Sequence, residues 1–185
     1  MTPQAMPDAP APTLLLSRTR ELDIRSLARP HLEELARHLG ETATLSVPGE
    51  HEAFTLDFAQ SPLNVRSVAE VGRSSVAHAT AVGKVFLAYG GTLPSGPLQA
   101  YTARTIVDPA VLGAELAAIR DSGWARATGE REEGLNAVAV PVLARDGKLA
   151  AILGVQAPAV RFSPRAMRAA AESLGEKAAR ISAAL

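Results

Sequence analysis

The first half of the chain alternates between helical and strand-like spacing of apolar residues. Leu27, Leu32, Leu35 and Leu39 recur at helical spacing, which predicts a helix that ends at Gly40 and that Pro30 either kinks or divides. Two strand-like runs follow within 41–59 around a Pro-Gly turn, and they predict a hairpin. The run 63–72 ends in glycine and predicts a third strand.

The second half carries clearer start and stop signals. Asp108 as N-cap and Gly123 as stop bound a predicted helix with an apolar stripe on one face. Two apolar runs flank Asp146-Gly147, a favoured two-residue turn, so 135–158 predicts a hairpin whose strands are covered on both faces. Ser163 caps a last predicted helix that continues to the end of the chain.

The order of these elements predicts the fold class. It runs helix, hairpin, strand, helices, strand, hairpin and helix, with a short helical piece predicted at 94–100. Hairpins mixed with helices favour an α+β domain, in which helices pack on the faces of an antiparallel sheet. A doubly wound parallel sheet would require regular alternation of strands and helices.

Residues 1–12 contain four prolines without periodicity and predict a disordered tail.

Composition narrows the classes of function. The 185 residues suffice for one domain, and 19 basic residues balance 19 acidic ones, which argues against a domain-wide nucleic-acid-binding surface. The lack of cysteine excludes disulfides, thiolate metal sites and a cysteine nucleophile. No apolar run approaches the roughly 18 residues of a membrane helix. We expect a cytoplasmic protein without membrane association, cofactor or metal.

The stretch HATAVGKVFLAYG, residues 78–90, raises the question of a phosphate-binding loop. Such a loop needs a glycine five residues before its Gly-Lys pair and Ser or Thr after it, whereas this chain has His78 and Val85 there. The stretch instead predicts a turn of small residues, 79–83, that packs a helix tightly on the sheet. We expect Lys84 to be solvated or to cap a helix, and His78 to be packed and hydrogen-bonded.

Other reactive side chains lack the spacing of a catalytic or metal-binding site. The four histidines do not have the spacing of metal ligands. The acidic run 130–133 is typical of a solvated surface, and its functional alternative is a set of acids at a pocket mouth. Ser75 lies near His78, but no nucleophile elbow accompanies it. A hydrolase that uses some of His78, Ser75, Glu130 and Glu133 is therefore the lesser alternative.

Five segments occur in one order and at one spacing. They are LARPHLEELARHLGET, HATAVGKVFLA, YTARTIVDPAVLGAELAAIRDSGWA, EEGLNAVAVPVLARDGKLAAILGVQAP and SPRAMRAAAESLGEKAARIS. The series resembles the effector-binding domain of the IclR family of bacterial transcription regulators, from about Leu22 to the C-terminus. The combination is specific, although no single segment is.

The resemblance implies a GAF-like fold, in which a curved antiparallel sheet carries helices on its faces. It also implies a concave-side pocket for a small metabolite, often an organic or aromatic acid, and assembly into homodimers or homotetramers. The chain then divides into a tail and linker, 1–20, and an effector-binding domain, 21–185. A non-catalytic sensing domain is the function that follows.

Regulators of this family carry a winged helix-turn-helix domain ahead of the effector-binding domain. About 20 residues cannot hold such a domain, so we expect no direct DNA binding by this chain. A stand-alone effector-binding domain is favoured over a trimmed piece of a regulator. Such a domain could associate with full-length family members and titrate them.

The pocket positions change the expected ligand. Where members that bind small keto acids have an acid, a Cys or Ser, and two serines, this chain has alanine, alanine, glycine and glutamine, so only Gln156 is polar. We expect a larger and less polar pocket for an apolar or aromatic ligand, or a vestigial one, with backbone amides of the small-residue turn available to an anion. The resemblance assigns these residues to ligand binding: Ser67, Ser75, Ala81, Val82, Ala127, Leu135, Ala137, Gly154 and Gln156.

Overall fold

The computed structural model describes residues 12–185, with side chains from residue 23 onward. All but the last residue of the tail predicted at 1–12 lies outside the described residues. The helices are α1 (Pro12–Leu39), α2 (Ala81–Ala88), α3 (Pro109–Ser122) and α4 (Pro164–Ala184). The strands are β1 (Thr42–Pro48), β2 (Ala53–Ala59), β3 (Ser74–Ser75), β4 (Ala125–Thr128), β5 (Leu135–Leu143) and β6 (Leu149–Pro158).

The strands form one antiparallel sheet in the order β3-β2-β1-β6-β5-β4. Its two predicted hairpins, β1–β2 and β5–β6, are joined by direct pairing of β1 with β6. This arrangement confirms the prediction of an α+β domain built on an antiparallel sheet. The central strands β1, β5 and β6 are buried along most of their length, which the continuous apolar runs predicted for β5 and β6.

Helices α1 and α4 cover one face of the sheet and enclose the larger part of the core. Leu32 and Leu35 of α1 and Met167 and Leu174 of α4 are each at most 2% exposed and pack around Leu45 of β1. Burying a side chain of this size contributes roughly 1.5–3 kcal/mol. This layer therefore supplies much of the driving force for folding.

Helix α2 lies directly on the opposite face, and α3 packs on α2. The second core cluster includes Val85 and Phe86 of α2 together with Leu112 and Ile119 of α3. Val111, which the predicted stripe placed in the core, is 53% exposed instead. The buried face of α3 is thus narrower than the sequence pattern suggested.

The predicted helix boundaries on the C-terminal half are confirmed by hydrogen bonds. The side chain of Asp108 accepts from the Ala110 amide at 2.7 Å, and Gly123 adopts the left-handed φ of 76° at the end of α3. The Ser163 hydroxyl accepts from the Ala166 amide and caps α4. Local capping chemistry therefore fixes where these helices begin and end.

The strand predicted at 63–72 is wrong. This segment has no regular secondary structure, and the short strand β3 follows it at Ser74–Ser75. Val65 and Val68 are 71% and 64% exposed, so the valines of this run do not form a buried sheet face. Residues 66–70 of the segment line a cavity beside the sheet and do not pair with a strand.

The helical piece predicted at 94–100 is also wrong, because this segment is irregular. Gly96 adopts a φ of 120°, which a helix does not contain, and Pro97 has no amide hydrogen to donate.

Helix α1, in contrast, is longer than predicted. It starts at Pro12 and runs through Pro30 without interruption, so its first turns occupy part of the expected linker at 1–20.

Strand β2 contains one residue more than β1 between two of their cross-strand pairs. Leu45 pairs with Asp57 and Ser46 pairs with Thr55, so Leu56 is the additional residue. Such a bulge changes which face the following side chains occupy. Thr55 lines the cavity on the α2 side, whereas Asp57 contacts α1 on the other side.

The contact between α1 and α4 includes a histidine of low proton affinity. Lys177 of α4 forms an ion pair with Glu34 of α1, with Nζ 2.6 Å from Oε1. His31 lies nearby on α1, and its Nδ1 is buried without a hydrogen-bond partner among the described residues. Burial, and next the positive charge of Lys177, lowers the pKa of His31 below its ordinary value.

This lowered pKa predicts a pH dependence of stability. Unfolded His31 takes up a proton below about pH 6.5, whereas folded His31 resists protonation until a lower pH, so stability present above about pH 6.5 is lost as the pH falls. We expect His31→Gln to flatten the decline of the unfolding free energy between pH 7 and 5, measured by urea denaturation. His38→Gln removes an exposed histidine from the same helix and is the control. An equal flattening in both variants would contradict the prediction.

Candidate functional site

A cavity of about 420 Å³ opens on the α2 side of the sheet. Its walls come from strands β1, β2, β5 and β6, from the irregular residues 66–70, from the start of α2 and from the turn 130–134. It lies on the face that the resemblance assigned to the pocket. All the residues predicted to bind a ligand line this one cavity: Ser67, Ser75, Ala81, Val82, Ala127, Leu135, Ala137, Gly154 and Gln156. Their role in binding stays a prediction.

The small-residue turn before α2 is explained by a close backbone contact. A Cβ on Gly83 would lie 2.5 Å from both the Cα and the carbonyl oxygen of Ala77, which is closer than real Cβ atoms approach. The tight packing is therefore against the preceding turn and not, as predicted, against the sheet. Thr80 caps the helix, because its hydroxyl accepts from the Gly83 amide at 2.9 Å.

The start of α2 lies at the cavity and has two backbone amides without an acceptor among the described residues. Both Ala81 and Val82 line the cavity, and their amides donate no hydrogen bond within the described residues. The first amides of a helix carry a partial positive charge and are a common binding site for anions. This end of the cavity is therefore suited to a carboxylate.

Three hydroxyl side chains in the cavity were missed by the sequence analysis. They belong to Thr44 and Ser46 of β1 and to Thr55 of β2, and each residue is at most 9% exposed. The expectation of a mostly apolar pocket is therefore wrong. The signal was present in the sequence, since polar residues occupy every second position of TATLSVP and share one strand face.

Charged side chains of both signs surround the cavity. Arg66, Arg73 and Arg131 line it and form no ion pair within the described part of the chain. Arg131 instead lies over the ring of Tyr101, 4.0 Å from its centroid. Three acidic residues at the rim balance the charge of these cations: Glu70, Glu132 and Glu133. Glu132 and Glu133 belong to the acidic run 130–133, and their position agrees with the alternative of acids at a pocket mouth.

Lys84 is completely buried, which corrects the expectation of a solvated or capping lysine. Its Nζ lies 2.6 Å from Oε1 of Glu115 on α3 and 2.6 Å from Oε2 of Glu130 in the turn that borders the cavity. It also donates to the Arg126 carbonyl at 3.1 Å. The contact with Glu130 is an ion pair, because its geometry does not satisfy the angles of a hydrogen bond.

Glu130 is buried as well, contrary to its prediction as part of a solvated run. Its Oε1 accepts from the Thr128 amide at 3.2 Å, and its carbonyl accepts from the Thr105 hydroxyl at 2.6 Å. Because Glu130 is held at both its side chain and its backbone, the turn that follows it has a fixed position against the cavity.

The arrangement of the polar groups gives no support to a hydrolase. His78 is buried as predicted, with Nε2 2.9 Å from the Gln99 carbonyl oxygen, and it does not line the cavity. Ser75 lines the cavity without a hydrogen bond to His78 among the described residues.

Within residues 23–185, no three His, Asp or Glu side chains are placed to hold a metal ion. Among the described helices, none combines the length and apolar character that a membrane span requires.

Comparison with known proteins decides the family. Residues 16–183 match the model of the bacterial transcriptional regulator IclR C-terminal domain. The chain belongs to this family. The match begins before residue 21, where we expected the domain to start, and the resemblance described above is confirmed.

Individual relatives agree with this assignment. The HTH-type transcriptional regulator BhcR of Paracoccus denitrificans is 31% identical over 84% of this chain, and the aligned part spans 58% of BhcR. The crystal structure of the Thermotoga maritima IclR superposes with a TM-score of 0.81 at 28% identity, covering 93% of this chain and 74% of the other. The predicted curved antiparallel sheet with helices on its faces is thereby confirmed.

A third relative carries a ligand. An IclR homologue from Microbacterium hydrocarbonoxydans, solved as a complex with 4-hydroxybenzoate, superposes with a TM-score of 0.78 at 27% identity. That alignment covers 88% of this chain and 68% of the other. The matched proteins are transcription regulators and not enzymes, which agrees with the expectation of a non-catalytic domain.

The buried lysine generates a stability prediction. Lys84→Met should destabilise the protein by about 3–5 kcal/mol, because it leaves the buried Glu130 carboxylate without its ionic partner. Urea denaturation at pH 7 measures the effect. Lys148→Met is the control, since its ammonium pairs with Asp146 on an exposed hairpin turn and should have no measurable effect. Equal stability of Lys84→Met and the wild type would mean that the buried pair contributes nothing.

Proposed function

We propose that this domain binds a small organic acid with an aromatic or apolar body and that it is the effector-sensing domain of an IclR-family transcription regulator. The observation that carries the proposal is the cavity beside α2. Its volume, about 420 Å³, falls in the range of small-molecule sites. It combines free backbone amides at one end with walls of small apolar residues, buried hydroxyls and arginines.

The two parts of the ligand are matched to two parts of the cavity. A carboxylate fits the amides of Ala81 and Val82, where the partial positive charge of the helix start favours an anion. An aromatic or apolar body fits against Leu135 and Ala137. The 4-hydroxybenzoate bound by the Microbacterium homologue supports this class of ligand for the present chain.

Regulation of transcription is proposed at the level of the whole protein. This chain spans about 58% of the length of BhcR, so DNA binding and control of promoters belong to the proposal and not to the observed domain. A regulator of bacterial transcription acts in the cytoplasm, which is the compartment we propose.

We further propose that the domain assembles into a homodimer or homotetramer. Exposed apolar side chains are concentrated in one segment, where Leu63, Val65 and Val71 are 44%, 71% and 51% exposed. Val160, 95% exposed, lies beside this segment, because the neighbouring Arg161 donates to the Val65 carbonyl at 2.7 Å. Concentrated apolar exposure is typical of association surfaces. The same surface would serve association with a full-length family member.

Effector binding is tested with a defined panel. We expect benzoate and hydroxybenzoates to raise the melting temperature and to bind in isothermal titration calorimetry, and pyruvate to bind more weakly. Ala137→Leu fills the cavity and should reduce affinity at least tenfold, about 1.4 kcal/mol. Ala118→Leu, on the exposed face of α3, is the matched control. Preferential binding of pyruvate would refute the aromatic ligand class, and no binding of any panel acid would refute the proposal.

Assembly is tested by native mass spectrometry and light scattering after gel filtration. We expect a dimer or tetramer for the wild type and a monomer for the double variant Val65→Asp, Val71→Asp. Burying two charges at an apolar interface costs more free energy than the apolar contact contributes to association. Val107→Asp is the control at an exposed valine elsewhere, 45% exposed. Mixing with a tagged full-length family regulator tests hetero-association. A monomeric wild type that forms no mixed species contradicts both forms of assembly.

A further inference from the structure

Ser46 is a buried polar side chain without a partner. It lies on β1, is 1% exposed, and its Oγ has no hydrogen bond among the described residues. It lines the cavity, and its cross-strand partner Thr55 lines the cavity too. A buried hydroxyl without a hydrogen bond destabilises the folded protein, so its presence requires an explanation. A ligand group in the cavity supplies one.

Thr44 shows how close these hydroxyls lie to the start of α2. A Cβ on Gly154, which pairs with Thr44 across β1 and β6, would lie 2.9 Å from the Thr44 hydroxyl oxygen and 3.1 Å from Val82 Cγ2. The Thr44 hydroxyl thus occupies the space of a side chain at position 154, beside the end of the cavity where we place the carboxylate. Ser46 follows two residues later on the same face, about 7 Å along the strand.

The hydroxyls of Ser46 and Thr55 suit a neutral polar group. Ser46 and Thr55 are each at most 9% exposed, and neither side chain carries a charge. An uncharged hydroxyl group needs only hydrogen bonds to replace the hydration that it loses there, and these two side chains can provide them. A hydroxyl group can donate to one of the two side chains and accept from the other, as their own hydroxyls can.

We propose that Ser46 and Thr55 bind a hydroxyl group of the effector and thereby select hydroxylated aromatic acids over unsubstituted ones. This inference rests on the proposed function, since it places the carboxylate at the start of α2. Ser46 is then a specificity-determining residue. Its unsatisfied hydroxyl lowers the stability of the folded protein, which is the expected consequence of a site prepared for a ligand.

The experiment compares benzoate with 3- and 4-hydroxybenzoate by isothermal titration calorimetry. We expect the wild type to bind at least one hydroxybenzoate about five- to tenfold more tightly than benzoate, the effect of a neutral hydrogen bond. Ser46→Ala and Thr55→Val should abolish this preference, because each weakens the binding of hydroxybenzoate more than the binding of benzoate. Ser46→Thr keeps the hydroxyl and should keep the preference. Ser122→Ala removes an exposed serine of α3 outside the cavity and should change neither affinity.

A stability measurement separates this role from a structural one. Because Ser46→Ala removes an unpaired buried hydroxyl, the ligand-free variant should melt at the same temperature as the wild type or higher. A lower melting temperature with an unchanged ligand preference would assign Ser46 a structural role and overturn the inference. Binding of both ligand types without any preference would overturn the inference and leave the proposed function intact. If none of the three acids binds, the proposed ligand class fails, and this inference fails with it.

Discussion

The buried ammonium group of Lys84 is the constraint on which the cavity depends. An ammonium without solvent must be surrounded by carboxylates and carbonyls, and here these come from α3, from β4 and from the turn after β4. The helix that carries Lys84 starts at the cavity with Ala81 and Val82. A displacement of α2 relative to α3 or to the turn would leave a buried charge unpaired. The orientation of the helix start, and of its free amides, is therefore fixed by a contact on the far side of the helix.

The sheet contributes a second constraint through the bulge at Leu56. Without that additional residue, Thr55 and Asp57 would share one face of β2. With it, Thr55 joins Ser46 at the cavity, while Asp57 accepts from Arg29 of α1 at 3.1 Å and pairs with Arg25 at 3.3 Å. The polar character of the cavity and the attachment of α1 to the sheet thus follow from the same local irregularity.

Much of this fold could be predicted from the sequence, because many of its determinants are local. The cap at Asp108 and the stop at Gly123 act within a few residues and appear where they were predicted. The β5–β6 hairpin also turns at the predicted place, but only Gly147 and not Asp146 has the positive φ that a two-residue Asp-Gly turn requires. The nine pocket positions carried over from the family also lie around one cavity. The irregular path of 63–72 could not be predicted, since a run rich in valine favours a strand whether or not a partner strand is present.

The site itself was less predictable for a related reason. Lys84 meets carboxylates 31 and 46 residues further along the chain, and nothing beside it in sequence indicates burial. The hydroxyls of Thr44 and Ser46 were visible as an alternating pattern, but the pattern does not show which face of the strand meets a cavity. That information comes from the pairing of Thr44 with Gly154, where a residue without a side chain leaves room for the hydroxyl of its neighbour. The polarity of this cavity is thus set by pairs of residues across strands, and positions compared one at a time underestimate it.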